Sequence, residues 1–320
     1  MNTALILSNL SSPPVLAFLL GFFATLVRSD LRIPELIYQG ISIYLLLAIG
    51  IKGGVQMNDL NMSQVAFSMV GVVLLCLLTA SLAFVILFYL GRLSQTQAAA
   101  IAAHYGSVSA VTFIAASEFL KNQNIFFEGH FPALVALMEV PGIVLAIVLA
   151  KANSFANKAT AMSVLKVLTG KSVVLLAGGF FIGYVSGHKG IDSVAPFFIL
   201  PFKGVLTLFL LEMGIMASQR LRDFKAVGTK LVLFAFFIPL LNGLLGCMIG
   251  EVLHFSVGGV TLLGVLAASG SYIAAPAAVK DSIPTANLPF CISMSLGITF
   301  PLNLIFGIPF FYWLAQVLDR

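Results

Sequence analysis

The stretch AAHYGSVSAV, residues 102–111, lies inside an apolar run long enough to cross a bilayer. It carries Gly106, Ser107 and Ser109 where a membrane helix should be regular, with His104 beside them. Glycine in a helix interior costs about 1 kcal/mol relative to alanine. Serine competes for backbone hydrogen bonds, so it is poor in mid-helix and good at an N-cap. A second stretch, LAASGSYIAA at 266–275, repeats the pattern with Ser269, Gly270 and Ser271. Pro276 follows and suits the first turn of a restarted helix. Both stretches predict helices broken near Ser107–Ser109 and Ser269–Ser271.

The surrounding chain has the composition of a membrane protein. Of 320 residues, 60% are hydrophobic and 9% charged, whereas soluble domains are nearer a quarter charged. Apolar runs separated by polar or Pro/Gly breaks predict ten spans, at 13–28, 33–52, 63–90, 95–118, 131–150, 170–187, 193–217, 226–253, 257–279 and 288–317. A hydrocarbon core of about 30 Å needs roughly 20 residues of helix. The fold class is therefore an all-α membrane protein with ten transmembrane helices. The N-terminus has no Lys or Arg before its apolar run, so the first helix is expected to be retained rather than cleaved.

Basic residues fix the expected direction. The connections after the odd-numbered spans hold twelve Lys and Arg, the other connections and the C-terminal Arg320 hold four, and Lys203 lies within a span. Basic loops stay cytoplasmic, which places both termini on the outer side. The net charge of +5 is thus a topology signal and no footprint for nucleic acid. The basic, weakly amphipathic segment 151–169 reads as a link between two halves.

The two halves repeat. LLGFFATLV (19–27) matches AGGFFIGYV (177–185), and LLLAIGIKGG (45–54) matches FLLEMGIMAS (209–218). Gly106-Ser107 matches Gly270-Ser271, and EVPGIVLAIV (139–148) matches TFPLNLIFGI (299–308). Four matches keep one order at offsets of 158 to 164 residues. The repeats are 1–155, with spans 1–5, and 156–320, with spans 6–10. Five is odd, so the second repeat enters the membrane inverted, an architecture common among secondary transporters.

Inversion lets the broken helices 4 and 9 cross near the midplane. Restarted half-helices aim N–H groups at the crossing and ended ones aim carbonyls, attracting an anion and a cation respectively. The residues expected to bind the anion are Gly106, Ser107, Ser109, Ala110, Ser269, Gly270, Ser271 and Tyr272. Glu139, an intramembrane carboxylate, reads as a ligand for Na⁺, with Thr112, Ser109 and Ser271 as further oxygens. A protonated Glu139 bonded to a neighbouring helix, or one that couples protons, are the other readings. Lys203 reads as an interfacial anchor, and Glu212 has no assigned role. His104 reads as a packing residue. No HExxH, P-loop, Gly-x-Ser-x-Gly or Cys/His metal spacing occurs, so the chain is expected to be no enzyme, with no metal beyond Na⁺ and no organic cofactor.

At these residues the sequence resembles the sodium-dependent bicarbonate transporter family. The matching runs are RIPE (32–35), IGIKGG (49–54), YGSVSAVT (105–112), MEVPGIVLAIVLA (138–150), FKGVLTL (202–208) and GGVTLLGVLAASGSYIAAPAAVKDSIPTAN (258–287). The resemblance implies a gate or scaffold domain of spans 1, 2, 6 and 7, and a transport core of spans 3–5 and 8–10. The core carries the substrate by an elevator-type movement. It also implies a homotrimer in the bacterial inner membrane and a P-II-like cytoplasmic regulator. Ser109, Thr112, Ser269 and Ser271 match the family's runs. Glu139 stands where an Asp is expected, Tyr272 where an acidic residue is expected, and Ala274 where Ser is expected. Those differences bear on Na⁺ stoichiometry, on ion choice, or on which small anion is taken.

The expected function is Na⁺-coupled import of bicarbonate. No Arg lies near the breaks, which suits a small monovalent anion better than a polyanion. The rivals are a symporter of another small or organic anion, similar to the bile-acid:sodium family, then a cation/proton antiporter or a passive channel.

Overall fold

The computed structural model describes residues 7, 9–56, 62–151, 165, 168–221 and 228–319. The link 152–164, Lys158, Lys166, Arg222, Lys225, Arg320 and the 155/156 repeat boundary lie outside them. The described residues are helical, without strands. Helices α1 (Pro13–Leu26), α2 (Glu35–Gln56) and α3 (Met62–Val85) come first, the last extended by a π-turn over Ile86–Leu90. Next come α4 (Gln95–Tyr105), α5 (Ala110–Asn122), α6 (Phe131–Met138) and α7 (Pro141–Ala150). Helices α8 (Lys171–Phe198), α9 (Phe202–Leu221), α10 (Thr229–Val252), α11 (Val257–Ala267) and α12 (Ala274–Ser282) follow. The chain closes with α13 (Leu288–Ile292), α14 (Phe300–Leu302) and α15 (Ile308–Leu318), joined by π-turns Ser293–Thr299 and Asn303–Gly307.

Seven helical stretches among the described residues are long and apolar enough to cross a membrane. They are Glu35–Gln56, Val65–Leu90, Gln95–Asn122, Phe131–Ala150, Phe202–Arg220, Thr229–Val252 and Leu288–Leu318. Pro13–Leu26 and Val257–Ala267 are apolar but shorter. Leu20 is 61% exposed and Phe181 65%. Side chains of that kind on a bundle's outside find a favourable solvent in lipid.

Helix α2 packs along α8, and α1 along α9. Glycines set the first contact. A Cβ on Gly50 would come within 3.0 Å of the Gly179 Cα, so the two backbones touch directly. The other helices gather separately: α3 against α4, α4 against α7, α10 against α11, and α11 against α15. The two groups meet where α6 contacts α2 and α8, and where α9 contacts the Ser293–Thr299 turn. Polar ties cross the same boundary. Lys203 Nζ donates to Asn122 Oδ1 at 2.9 Å and pairs with Glu118 at 3.4 Å. Lys203 is therefore tied to α5, beyond the anchoring expected of it.

Two boundaries differ from the sequence reading. The expected break at 188–192 is absent. Helix α8 bends at Gly187, which takes φ 58°, and continues to Phe198. Glycine accepts that left-handed φ without penalty, so the polar run His188-Lys189 stays helical beyond the bend. The next helix starts after Pro201, at Phe202 instead of 193. The expected continuous span 131–150 is also interrupted, with Glu139 capping α6 and Pro141 opening α7. A proline has no N–H to give, and it fits the first turn of a new helix.

Candidate functional site

The break after Tyr105 arises from local chemistry. Gly106 caps α4, and Ser109 sits in extended backbone with its hydroxyl accepting the Thr112 N–H at 3.2 Å. That is the N-cap geometry serine favours. In the second half α11 ends at Ala267 and α12 starts at Ala274, with Pro276 in its first turn. The Ser271 hydroxyl accepts the Ala275 N–H at 3.1 Å. The second break therefore runs on to include Tyr272 and Ile273.

The two breaks hold each other by a reciprocal pair of bonds. The Ser109 N–H donates to Ser269 Oγ at 2.9 Å. The Ser271 N–H donates to the His104 carbonyl at 2.8 Å. Ser269 Oγ itself donates to the Leu266 carbonyl at 2.7 Å. Buried backbone groups in lipid need such partners. Two N–H groups expected to face a ligand are thus occupied by the opposite break. The first-turn N–H groups of Ala110, Val111 and Ala274 have no intrahelical partner by helix geometry, and these remain as anion donors.

Around the crossing the structure brings together some expected residues and leaves others apart. Ser107 Oγ donates to the Glu139 backbone carbonyl at 3.1 Å. It is the carbonyl of Glu139 that reaches the break here. The carboxylate's Oε2 is buried without a hydrogen-bond partner among the described residues. Thr112 Oγ1 and the Tyr272 hydroxyl are buried in the same unpartnered condition. The Tyr272 hydroxyl approaches Ser109 without reaching hydrogen-bond geometry, and its ring meets Phe300 edge-on at 5.5 Å. Gly270 packs on Ser295, 3.1 Å from where its Cβ would stand. Gly142 packs directly on Gly106, leaving no room for a Cβ. Ala110 is buried and adds only its backbone.

A buried unpartnered oxygen is costly unless something supplies the missing contact. Thr112, Tyr272 and Glu139 offer hard oxygen atoms of the kind Na⁺ takes, and all sit on or beside the interrupted segments. No group of three or more His, Cys, Asp or Glu suited to another metal occurs among the described residues.

Sequence reasoning missed three features. The Glu139–Pro141 interruption was signalled by Pro141 itself. Asn303, whose side-chain amide donates to the Val265 carbonyl at 2.9 Å beside the second break, carried no signal. Glu212, unassigned from sequence, accepts the Ile33 N–H at 3.2 Å and so holds the start of α2. His104 Nδ1 bonds the Ala100 carbonyl at 2.9 Å, as a packing histidine does.

Comparison with curated proteins finds no match. The sequence profile of the Na⁺-dependent bicarbonate transporter superfamily matches residues 13–316. That interval includes every helix described above and both breaks. The chain is a multi-pass membrane protein and belongs to the Na⁺-dependent bicarbonate transporter superfamily, a family of transporters and not of enzymes.

Proposed function

We propose that this chain imports bicarbonate together with Na⁺, binding the anion where the two broken helices cross and moving it by an elevator-type step. The reading rests on one observation above all: in a chain of this family, Ser109 and Ser271 join two interrupted helices head to head. The free first-turn N–H groups there suit a small planar monovalent anion. Glu139, Thr112, Ser109 and Ser271 are proposed as the Na⁺ oxygens. Ser107, Gly106, Ala110, Ser269, Gly270 and Tyr272 are proposed to shape the anion pocket with the two serines.

The architecture proposed for this task is ten spans in two inverted repeats, 1–155 and 156–320. Residues with left-handed backbone support it: Arg28 and Gly187 stand 159 apart, and Arg92 and His254 stand 162 apart. Ser94 and Ser256, also 162 apart, each cap the following half-helix with the hydroxyl. Neighbour relations exchange between the halves as well. The pair α1·α9 answers α8·α2, α3·α4 answers α10·α11, and α4·α7 answers α11·α15. Helices α1, α2, α8 and α9 would be the scaffold, and the remainder the moving core. Both termini would lie outside, in a homotrimer of the bacterial inner membrane with a P-II-like cytoplasmic regulator.

Uptake of labelled bicarbonate by proteoliposomes tests this. Uptake should be concentrative in a Na⁺ gradient and vanish when choline replaces Na⁺, and excess pyruvate or a bile acid should leave it unchanged. Na⁺-independent equilibration would mean a channel, and competition by the organic anions would mean a different substrate.

A further inference from the structure

A cavity of about 440 Å³ opens between α2, α5, α8 and α9, on the face that carries the ends of α2 and α5. Lys52, Lys121 and Lys203 line it, against a single carboxylate, Glu118. Glu118 is already engaged with Lys203 at 3.4 Å. The other two lysines are held by aromatic faces. Lys52 Nζ sits 3.8 Å above the Phe202 ring, and Lys121 Nζ 5.9 Å from the Phe127 ring. Two ammonium groups over apolar walls, with no carboxylate of their own, form a standing positive field. Clefts lined by one sign of charge concentrate the opposite ion.

The cavity also points at the crossing. Phe113 contributes to its lining and is itself buried. Phe113 lies one helical turn from the Ser109 cap, at about 1.5 Å per residue. Helix α5 thus runs from the break, past Phe113, to Lys121 at the mouth. We propose that Lys52 and Lys121 make this cavity an anion-collecting vestibule, which gathers small monovalent oxyanions from the outer side and presents them to the crossing. The collecting step stands on the cavity alone, and the delivery step rests on the transport reading above.

The test separates the two. The native cysteines Cys76, Cys247 and Cys291 are buried, so Gln56→Cys, an exposed residue on the cavity wall, provides a unique thiol. Its modification rates by an anionic sulfonate and by a cationic ammonium methanethiosulfonate are compared in the full-length protein in nanodiscs. The anionic-to-cationic rate ratio should fall about tenfold when Lys52→Gln and Lys121→Gln are added. Lys52→Arg with Lys121→Arg should keep it. An unchanged ratio in the glutamine variant overturns the vestibule, whatever the transport data say. Without the added cysteine, the glutamine pair should raise the bicarbonate KM about three- to tenfold at low ionic strength, with the maximal rate kept. A lowered ratio with an unchanged KM overturns the delivery step. Absence of Na⁺-dependent bicarbonate uptake by the unaltered chain overturns the transport reading instead, and the thiol ratio still decides the vestibule.

Discussion

At the level of single residues, the serines of the crossing are not equivalent. Ser269→Ala removes the acceptor of the Ser109 N–H and leaves that group buried and unpaired, a loss of about 1–3 kcal/mol. Ser271→Ala keeps the backbone bond from Ser271 to the His104 carbonyl and forfeits only the cap on Ala275, about 1 kcal/mol. Thermal unfolding in detergent should therefore rank Ser269→Ala below Ser271→Ala, while both weaken bicarbonate uptake. Equal stabilities would mean that the reciprocal bonds do not hold the breaks. Glu139→Gln should raise the Na⁺ concentration for half-maximal uptake about tenfold, equivalent to about 1.4 kcal/mol, and an unaltered Na⁺ curve would remove Glu139 from the cation site. His130 supplies a pH signature outside the spans. Burial between Phe131 and Phe255 lowers its pKa to about 4, below the ordinary 6.5. The folded state thus favours the neutral ring, and its stabilising effect is complete above pH 6.5 and lost as pH falls towards 4, by up to about 3 kcal/mol. His130→Leu should flatten that part of the stability profile; parallel profiles for the two proteins would show that His130 does not titrate in this way. Gly106, Ser107 and Ser109 were legible in sequence because glycine and serine are poor in mid-helix. Which hydroxyl would face which N–H was not, since that depends on where two distant segments meet.

Interrupted helices are the elements on which the candidate site is built, and each interruption has its own local cause. Ser109 restarts α5 by capping, Pro276 lies in the first turn of α12, and Pro141 opens α7. The third was not read as a break, because the apolar run 131–150 hides it: one proline after a carboxylate is also compatible with a kink. The expected end of the sixth span failed for the opposite reason. His188 and Lys189 look like a loop, yet one left-handed Gly187 lets the helix turn and continue. Polarity marks where a chain leaves lipid, and it does not by itself mark where a helix ends. Close packing then fixes the elements relative to one another. Gly142 lies against the Gly106 carbonyl with no room for a Cβ, so Gly142→Ala must push α7 away from the first break. Overpacking of this kind costs about 1–3 kcal/mol. Uptake should fall at least tenfold while Gly178→Ala, where a Cβ meets nothing within 4 Å, leaves uptake unaltered. Normal kinetics in Gly142→Ala would show that the break tolerates displacement and that its geometry is not the determinant.

For the whole molecule, the sequence repeat anticipated more than its four short matches alone could carry. Left-handed residues, hydroxyl caps and helix neighbours fall at equivalent places in both halves. No pattern in the chain announced that Lys203 would reach Glu118 and Asn122, because that contact lies between two groups of helices rather than within one. The contact is also where an elevator movement can be examined. If α1, α2, α8 and α9 stay fixed while the rest slides, the separation of Lys203 on α9 from Glu118 on α5 must change during each cycle. The ion pair itself is modest: its side chains are 47% and 15% exposed, so solvent screens it, and it is expected to contribute no more than about 1 kcal/mol. A pair this weak can open and close in turnover. Replacing it by a covalent bridge removes that freedom. Lys203→Cys with Glu118→Cys, joined by a short bifunctional thiol reagent, should transport before bridging and lose more than nine-tenths of its uptake afterwards. Reduction of a cleavable bridge should restore it, and a monofunctional reagent on the same two thiols should leave most of the rate. Full uptake through a completely bridged protein would mean that α5 and α9 move as one body, and the substrate would then have to cross by a rearrangement confined to the breaks themselves.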